Sequence, residues 1–333
     1  MPLSCTNCGQ NEALEGHPTP LCAECRQAYI KYPIPIWIKL FAVGLLALII
    51  FASFSLPKQL VIGLHMARGK KAEKAERYRT AEKEFLEAER HMRQTTPELN
   101  GHLFICAIFN GEIDSARKYV SRIDSSVSDD ELPDKMQEAV DLGKAYLSSD
   151  NLSSLYQRFP NGLPDTALYR AVKENPRDES LLYVYAATLY NEKQIDSCTQ
   201  VLWVALDQHS SNIPLLTLAA SISVERKRPD SAVYFCDRLL DFNKENIVAL
   251  AGKARNLMRL GKDKEAAPLA EEAYRLEDTS TYTIGTMALL YHVTSQSAKR
   301  DEMMGKFNKL NRDTSDHYVA DVINGKESFG TTK

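Results

Sequence analysis

Seven cysteines punctuate this chain of 333 residues, and four of them are grouped where they can do chemistry. Cys5 and Cys8 are separated by two residues, Cys22 and Cys25 again by two, and 13 residues lie between the pairs. Two such Cys-x-x-Cys knuckles can set four thiolates at the corners of a tetrahedron, the arrangement Zn²⁺ adopts at about 2.3 Å per sulfur. A four-cysteine site is closed, so the Zn²⁺ it holds is structural and offers no open position for catalysis. Residues 1–32 enclose almost no apolar core, so the metal would supply the folding energy of this module. The same residues admit other chemistry: two disulfides, a redox dithiol pair, or a site in which His17 replaces one cysteine. Gly9 after the first knuckle suits a chain reversal, and Arg26 after the second suits the negative charge of four thiolates on one metal ion.

The segment resembles a zinc ribbon. No other residues combine into a reactive constellation. Cys106, Cys198 and Cys236 stand singly in apolar stretches, where a cysteine serves as a small core residue. The seven histidines form no pair at helical spacing, and there is no Gly-rich phosphate loop and no nucleophile elbow. The balance of 41 basic against 44 acidic residues, a net charge of −3, leaves no electrostatic footprint for nucleic acid. The expectation is a protein that is not an enzyme, with no nucleic-acid partner and no small-molecule substrate.

The elements that carry the rest of the chain announce themselves by repetition. Ala186, Ala220, Ala254 and Ala288 recur every 34 residues, and Cys198, Ala232 and Ala266 follow the first three after 12. A small residue returning at a fixed interval marks two helices that approach closely once per structural unit. Around Ala254 the chain reads LAGKARNLMRLGKDKEAAPLAEEAYRLED, with Leu250 and Leu257 on a first helix, Gly261 at the turn, and Ala266, Ala270 and Ala273 on a second. The preceding units match through Leu216, Ala220, Ala232 and Leu239, and through Leu182, Ala186, Ile195, Cys198, Leu202 and Ala205. Upstream, Tyr78, Ala81, Phe85 and Ala88, and then Gly111, Ile113, Ala116 and Val120, keep the same offsets. Between Gly143 and Ala186 the spacing grows to 43, with Pro160, Gly162 and Pro164 in the surplus, which predicts a broken second helix.

These units resemble the tetratricopeptide repeat (TPR), with Leu250 where an aromatic is usual. The fold class expected is all-α: a TPR-like helical solenoid of six to seven units over residues 72–312, followed by a tail over 313–333. Some TPR proteins grip a C-terminal carboxylate with Lys and Asn at fixed offsets, but Tyr183, Ala187, Thr217 and Ser221 occupy those offsets here, so that clamp is absent.

Ahead of the solenoid, residues 40–56 carry no charge, and residues 36–38 extend the apolar run with Lys39 as its one charge. A helix of this length measures roughly 26 to 32 Å, against a hydrocarbon core of about 30 Å. The pattern predicts a single transmembrane helix over 36–56, flanked by Pro35 and by Pro57 with Lys58, and a juxtamembrane linker over 57–71 in which Arg68, Lys70 and Lys71, with Lys74 just beyond, touch anionic lipid. Reduced knuckles favour a cytoplasmic ribbon, which puts the solenoid on the opposite side of the membrane.

A solenoid binds with the inner surface lined by its first helices. The repeat frame places Tyr183, Tyr190, Asn191 and Glu225 at one end of that groove and Arg255, Met258, Arg259 and His292 at the other. The sequence therefore points to a membrane-anchored adaptor that docks a protein or peptide partner, with the ribbon as a second contact module. A zinc- or redox-responsive membrane regulator is the alternative.

Overall fold

The computed structural model describes residues 3–31, 35–123, 133, 135–146, 149–310 and 317–329, with the side chains of 29–31, 51–57 and 144–146 outside that description. The chain divides into two units, Met1–Leu60 and Val61–Lys333. Among the described residues the regular structure is helical, apart from an isolated antiparallel bridge between Ser4 and Glu12.

In the first unit, helix α1 (Ala23–Lys31) begins inside the second knuckle, and α2 (Ile36–Lys74) starts directly after Pro35. No helix among the described residues is long and apolar enough to cross a membrane. This overturns the single-pass anchor expected over 36–56, and with it the assignment of ribbon and solenoid to opposite sides. Lys39 interrupts the apolar side chains of α2 from Ile36 to Ile50. The end of the expected span, residues 51–56, lies outside the described side chains. From Arg68 onward the helix is charged, and Lys70, expected at lipid, instead pairs with Glu98 at 2.6 Å.

The second unit opens with the last turns of α2 and continues through α3 (Tyr78–His91), α4 (Pro97–Asn110), α5 (Ile113–Val120), α6 (Met136–Tyr146), α7 (Asp150–Arg158) and α8 (Asp165–Glu174). Four regular pairs follow: α9 (Glu179–Asn191) with α10 (Ile195–Gln208), α11 (Ile213–Glu225) with α12 (Pro229–Phe242), α13 (Ile247–Arg259) with α14 (Asp263–Leu276), and α15 (Thr281–Val293) with α16 (Ser297–Leu310). The result is an all-α, TPR-like solenoid. The surplus residues around Pro160, Gly162 and Pro164 form the turn that separates α7 from α8, where the broken helix was expected.

Local chemistry punctuates each unit at the same two places. Asp178, Asn212, Asn246 and Ser280, spaced by 34, precede the first helices, and each side chain accepts a backbone N–H from the first turn. These caps satisfy donors that the helix itself leaves free. At the other end of the same helices, Lys193, Lys227, Gly261 and Ser295 adopt left-handed backbone with φ of 61°, 54°, 72° and 58°. The residue after each then donates its N–H five residues back, as Gln194 does to Leu189 and Arg228 to Ser223, at 2.9 and 2.8 Å. This is a Schellman-type close, and it reverses the chain into the second helix. Between the helices the small residues meet: Ala186, Ala254, Ala288, Cys198, Ala232 and Ala266 are all fully buried. Ala220 is half-buried, with its neighbour Ala219 taking the buried place. The repeat extends upstream, where Gly69 of α2 lies so close against the Phe85 ring of α3 that no Cβ fits.

The array also closes on itself. Every residue of α4 from Leu99 to Phe109 is buried, because the turns between later units fold over the early helices. Asn243, fully buried in the turn before α13, donates to the Phe109 carbonyl at 3.1 Å and to Asn110 Oδ1 at 3.0 Å. Glu245, 2% exposed, accepts from the Thr80 backbone and hydroxyl, both at 2.7 Å, and pairs with Arg77 at 2.8 Å. Arg79 pairs with Glu82 and with Glu277 at 3.1 Å each, and also with Glu112. Burial and the Glu112 charge hold the Glu82 carboxyl above its ordinary pKa, against the pull of Arg79. Residues 313–333, expected as a tail, include α17 (Tyr318–Ile323), which packs on α15 with Val319 buried near Gly285.

Candidate functional site

Two short loops bring the four amino-terminal cysteines together. In the first, Gly9 at φ 66° lets the chain reverse, so that its N–H reaches the Cys5 carbonyl at 2.9 Å and Cys5 N–H reaches Asn11 at 2.9 Å. In the second, Cys22 and Cys25 flank the start of α1, with Arg26 N–H on the Cys22 carbonyl at 2.9 Å. Thr6 ties the loops, donating its N–H and hydroxyl to the Pro20 carbonyl at 3.0 and 3.1 Å. The four Sγ atoms of Cys5, Cys8, Cys22 and Cys25 lie within 4.8 Å of one another, and Cys8 to Cys22 is 3.7 Å.

A tetrahedron with metal–sulfur bonds of about 2.3 Å has edges of about 3.8 Å, so the cluster is sized for one ion. A disulfide needs about 2.05 Å, and all seven cysteines are free thiols. His17 is exposed and stands outside the group. Backbone N–H groups of Cys22 and Cys8 aimed at its sulfur lower the Cys5 thiol to about 6, and those of Gln10 and Asn11 lower Cys8. Cys25 accepts from the Asn7 amide at 3.4 Å, which pulls it down, but hydrogen bonding to Cys22 and desolvation push it up to about 12. Arg26 spends its guanidinium on the Thr19 carbonyl at 2.9 Å.

The residues read as a groove separate into two groups. At one end, Tyr183 and Tyr190 are half-buried, and Asn191 and Glu225 are exposed. Lys193 joins them, lying 5.6 Å over the Tyr190 ring and 3.5 Å from Glu225. At the other end the chain uses the residues itself. Arg255 is 8% exposed, donating to Thr286 Oγ1 and the Tyr282 carbonyl at 2.8 and 2.9 Å and stacking 4.1 Å over the Tyr282 ring. Met258 is buried. Arg259 donates to the Tyr318 hydroxyl at 2.7 Å and lies over Tyr318 and Phe329, so the carboxy-terminal segment covers it. His292 is half-buried, with a buried Nδ1 that has no partner among the described residues. Ala251, which the repeat frame places on the groove, is also fully buried.

The repeat frame directs attention to the first helices and passes over the outer side of the second ones. There Trp203 and Tyr234 line a recess with Phe235, Leu216, Asp207 and Asp230. The available signal was an indole and a phenol on the helix faces opposite Cys198 and Ala232, where the frame expects water.

No family model matches the chain, and no curated protein does. Solved structures do resemble it. YrrB, described as a TPR protein with an unusual peptide-binding site, is 18% identical over 49% of this chain and 84% of its own, with a TM-score of 0.39. Pseudomonas aeruginosa PilF is 10% identical over 81% of this chain and 100% of its own, with a TM-score of 0.40. Yeast Tom70 is 16% identical over 75% of this chain and 59% of its own, with a TM-score of 0.38.

Proposed function

We propose that this chain is a protein-interaction adaptor whose first-helix face takes a peptide segment at the Tyr190 end, with the four-cysteine module holding one structural Zn²⁺ as a second contact surface. The observation that carries the reading is the composition of that end. Tyr190, Asn191, Lys193 and Glu225 offer an aromatic face, an amide and both charges on neighbouring units. Such a set recognises an extended backbone with mixed side chains. Residues 1–32, 72–312 and the α17 segment serve as the working modules in this reading. Cys5, Cys8, Cys22 and Cys25 would hold the ion, which would lock the two loops together and leave no ligand position open.

Partner capture by the full chain, compared with Tyr190→Ala and Glu225→Arg, tests the groove. A partner retained by the wild type and by the exposed control Lys264→Ala, but lost by both groove variants, supports the reading; retention by all four proteins would refute it. A zinc- or redox-responsive regulator is the second reading, favoured by the exposed Cys8 and the lowered Cys5 thiol. Partner affinity that changes on chelation or oxidation would select it over a constitutive adaptor.

A further inference from the structure

Between the outer faces of α10 and α12 lies a recess of about 550 Å³. Leu216 and Phe235, both buried, form its floor, while Trp203 and Tyr234 stand on its walls 53% and 54% exposed. The Trp203 and Phe235 rings are 5.7 Å apart and tilted by 43°, and Tyr234 meets Phe235 edge-on at 5.2 Å. Two large aromatic side chains left in water beside a cavity have area to bury against a ligand.

Charge narrows the class of that ligand. Asp207 and Asp230 line the recess, both exposed and without an ion pair among the described residues. Arg238 is the cation of the lining, and its guanidinium is held by the Ser210 carbonyl at 2.7 Å and the Tyr234 hydroxyl at 3.4 Å, which steadies that wall. The two second helices that border the recess, and the next one along, are net acidic. Helices α10, α12 and α14 carry two, three and four carboxylates against zero, one and two basic residues. Electron-rich ring faces attract a cation, and unpaired carboxylates beside them complete its pairing. An acidic ligand would meet like charge here, and an apolar helix would strip water from both aspartates without compensation.

We propose that this recess binds a lysine or arginine side chain carried on a basic segment of a partner protein, its stem against Trp203 and Tyr234 and its charged head paired with Asp207 or Asp230. The site is walled by the second helices α10 and α12 over Leu216 of α11, and stands whether or not the Tyr190 end of the groove binds anything.

Fluorescence polarisation with a labelled, glycine-spaced arginine peptide, titrated with the full chain at physiological ionic strength, tests this. A glutamate peptide of the same length is the counter-probe. The arginine peptide should bind and the glutamate peptide should not. Trp203→Ala leaves the charge unchanged yet should weaken binding roughly tenfold, as should Asp207→Asn combined with Asp230→Asn. Glu271→Gln on α14 should change it by less than about twofold, and Tyr190→Ala should leave it unchanged, which separates this site from the groove. Circular dichroism checks that each variant keeps its helices. A loss from Glu271→Gln as large as that from the double aspartate variant, with none from Trp203→Ala, would reduce the effect to diffuse attraction and overturn the proposal. So would self-association, seen by light scattering, that disappears in Trp203→Ala, since the occupant would then be a second copy of the chain.

Discussion

The Cys198 thiol lies 3.0 Å from the Ala186 carbonyl, close enough to donate to it across the gap between α9 and α10. Both residues are fully buried, and they are 12 positions apart. A backbone oxygen within hydrogen-bond reach of a Cβ substituent on the facing helix means that little beyond a single heavy atom fits there. The same interval recurs as Ala220 to Ala232 and Ala254 to Ala266, so the alternation of small residues is the imprint of helix spacing. Burial also pushes the Cys198 thiol up to about 11, which keeps it protonated and able to donate at neutral pH.

Substitution at this contact should follow volume. Cys198→Ala loses one weak hydrogen bond and a small volume, and should cost about 1 kcal/mol. Cys198→Leu must push the helices apart, and overpacking of this kind costs about 1 to 3 kcal/mol or more. Chemical denaturation of the full chain checks the order, and a Leu variant as stable as the Ala variant would mean that the gap is not tight.

The contacts that close the array are polar and can be probed one at a time. Asn243→Ala removes the donor to the Phe109 carbonyl and the acceptor of the Glu245 N–H, 3.0 Å away. Two buried backbone groups left without partners should cost about 2 to 4 kcal/mol. Amide exchange should also quicken along α4, where the covering turn loosens. Unchanged exchange in α4 would show that the turn does not hold that helix.

These particulars separate what was legible in the sequence from what was not. Ligand spacing and helix spacing are local or periodic, so the Cys5 to Cys25 cluster and the Ala186, Cys198 frame could be read directly. The caps Asp178, Asn212, Asn246 and Ser280 recur just as regularly, and their signal went unused. Closure depends on pairs such as Arg79 with Glu277, 198 residues apart, for which no local pattern exists. Burial of the groove residues comes from neighbouring elements: Arg255 is covered by Tyr282 and Thr286 of α15, Ala251 packs in a cluster with Tyr282, and Met258 shares a cluster with Val319 and Val322 of α17. The membrane expectation rested on the composition of residues 36–56, and no helix among the described residues is long and apolar enough to cross a membrane.

Thiol chemistry should divide the seven cysteines into four and three. With metal removed, at neutral pH, Cys8 should be alkylated first because it is exposed and its thiol is lowered. Cys106, Cys198 and Cys236 should react only on unfolding, since burial shields them and raises their thiols, Cys236 to about 12. Added Zn²⁺ should protect Cys5, Cys8, Cys22 and Cys25 together, and elemental analysis should find one Zn²⁺ per chain, lost in Cys22→Ser. Alkylation of Cys236 in the folded chain as fast as Cys8, or no protection by Zn²⁺, would contradict this assignment.

The turns between paired helices offer a gain in stability. Six described residues hold left-handed backbone there, Glu76, Gly111, Lys193, Lys227, Gly261 and Ser295, and four of them carry a side chain that disfavours it. A non-glycine residue in this region costs about 1 to 2 kcal/mol, while glycine gives back part of that through its looser unfolded chain. Lys227 is the cleanest position, exposed and at φ 54°. Lys227→Gly should therefore stabilise the chain by about 0.5 to 1 kcal/mol. Lys193→Gly should gain less, because it also removes the pairing with Glu225 and the contact over Tyr190. Lys227→Val should lose stability, since a β-branched side chain tolerates positive φ worst. Urea midpoints of the four proteins decide it: the expected order is Lys227→Gly, Lys193→Gly, wild type, Lys227→Val, and a Lys227→Gly midpoint below wild type would show that the turn is not held in the left-handed conformation.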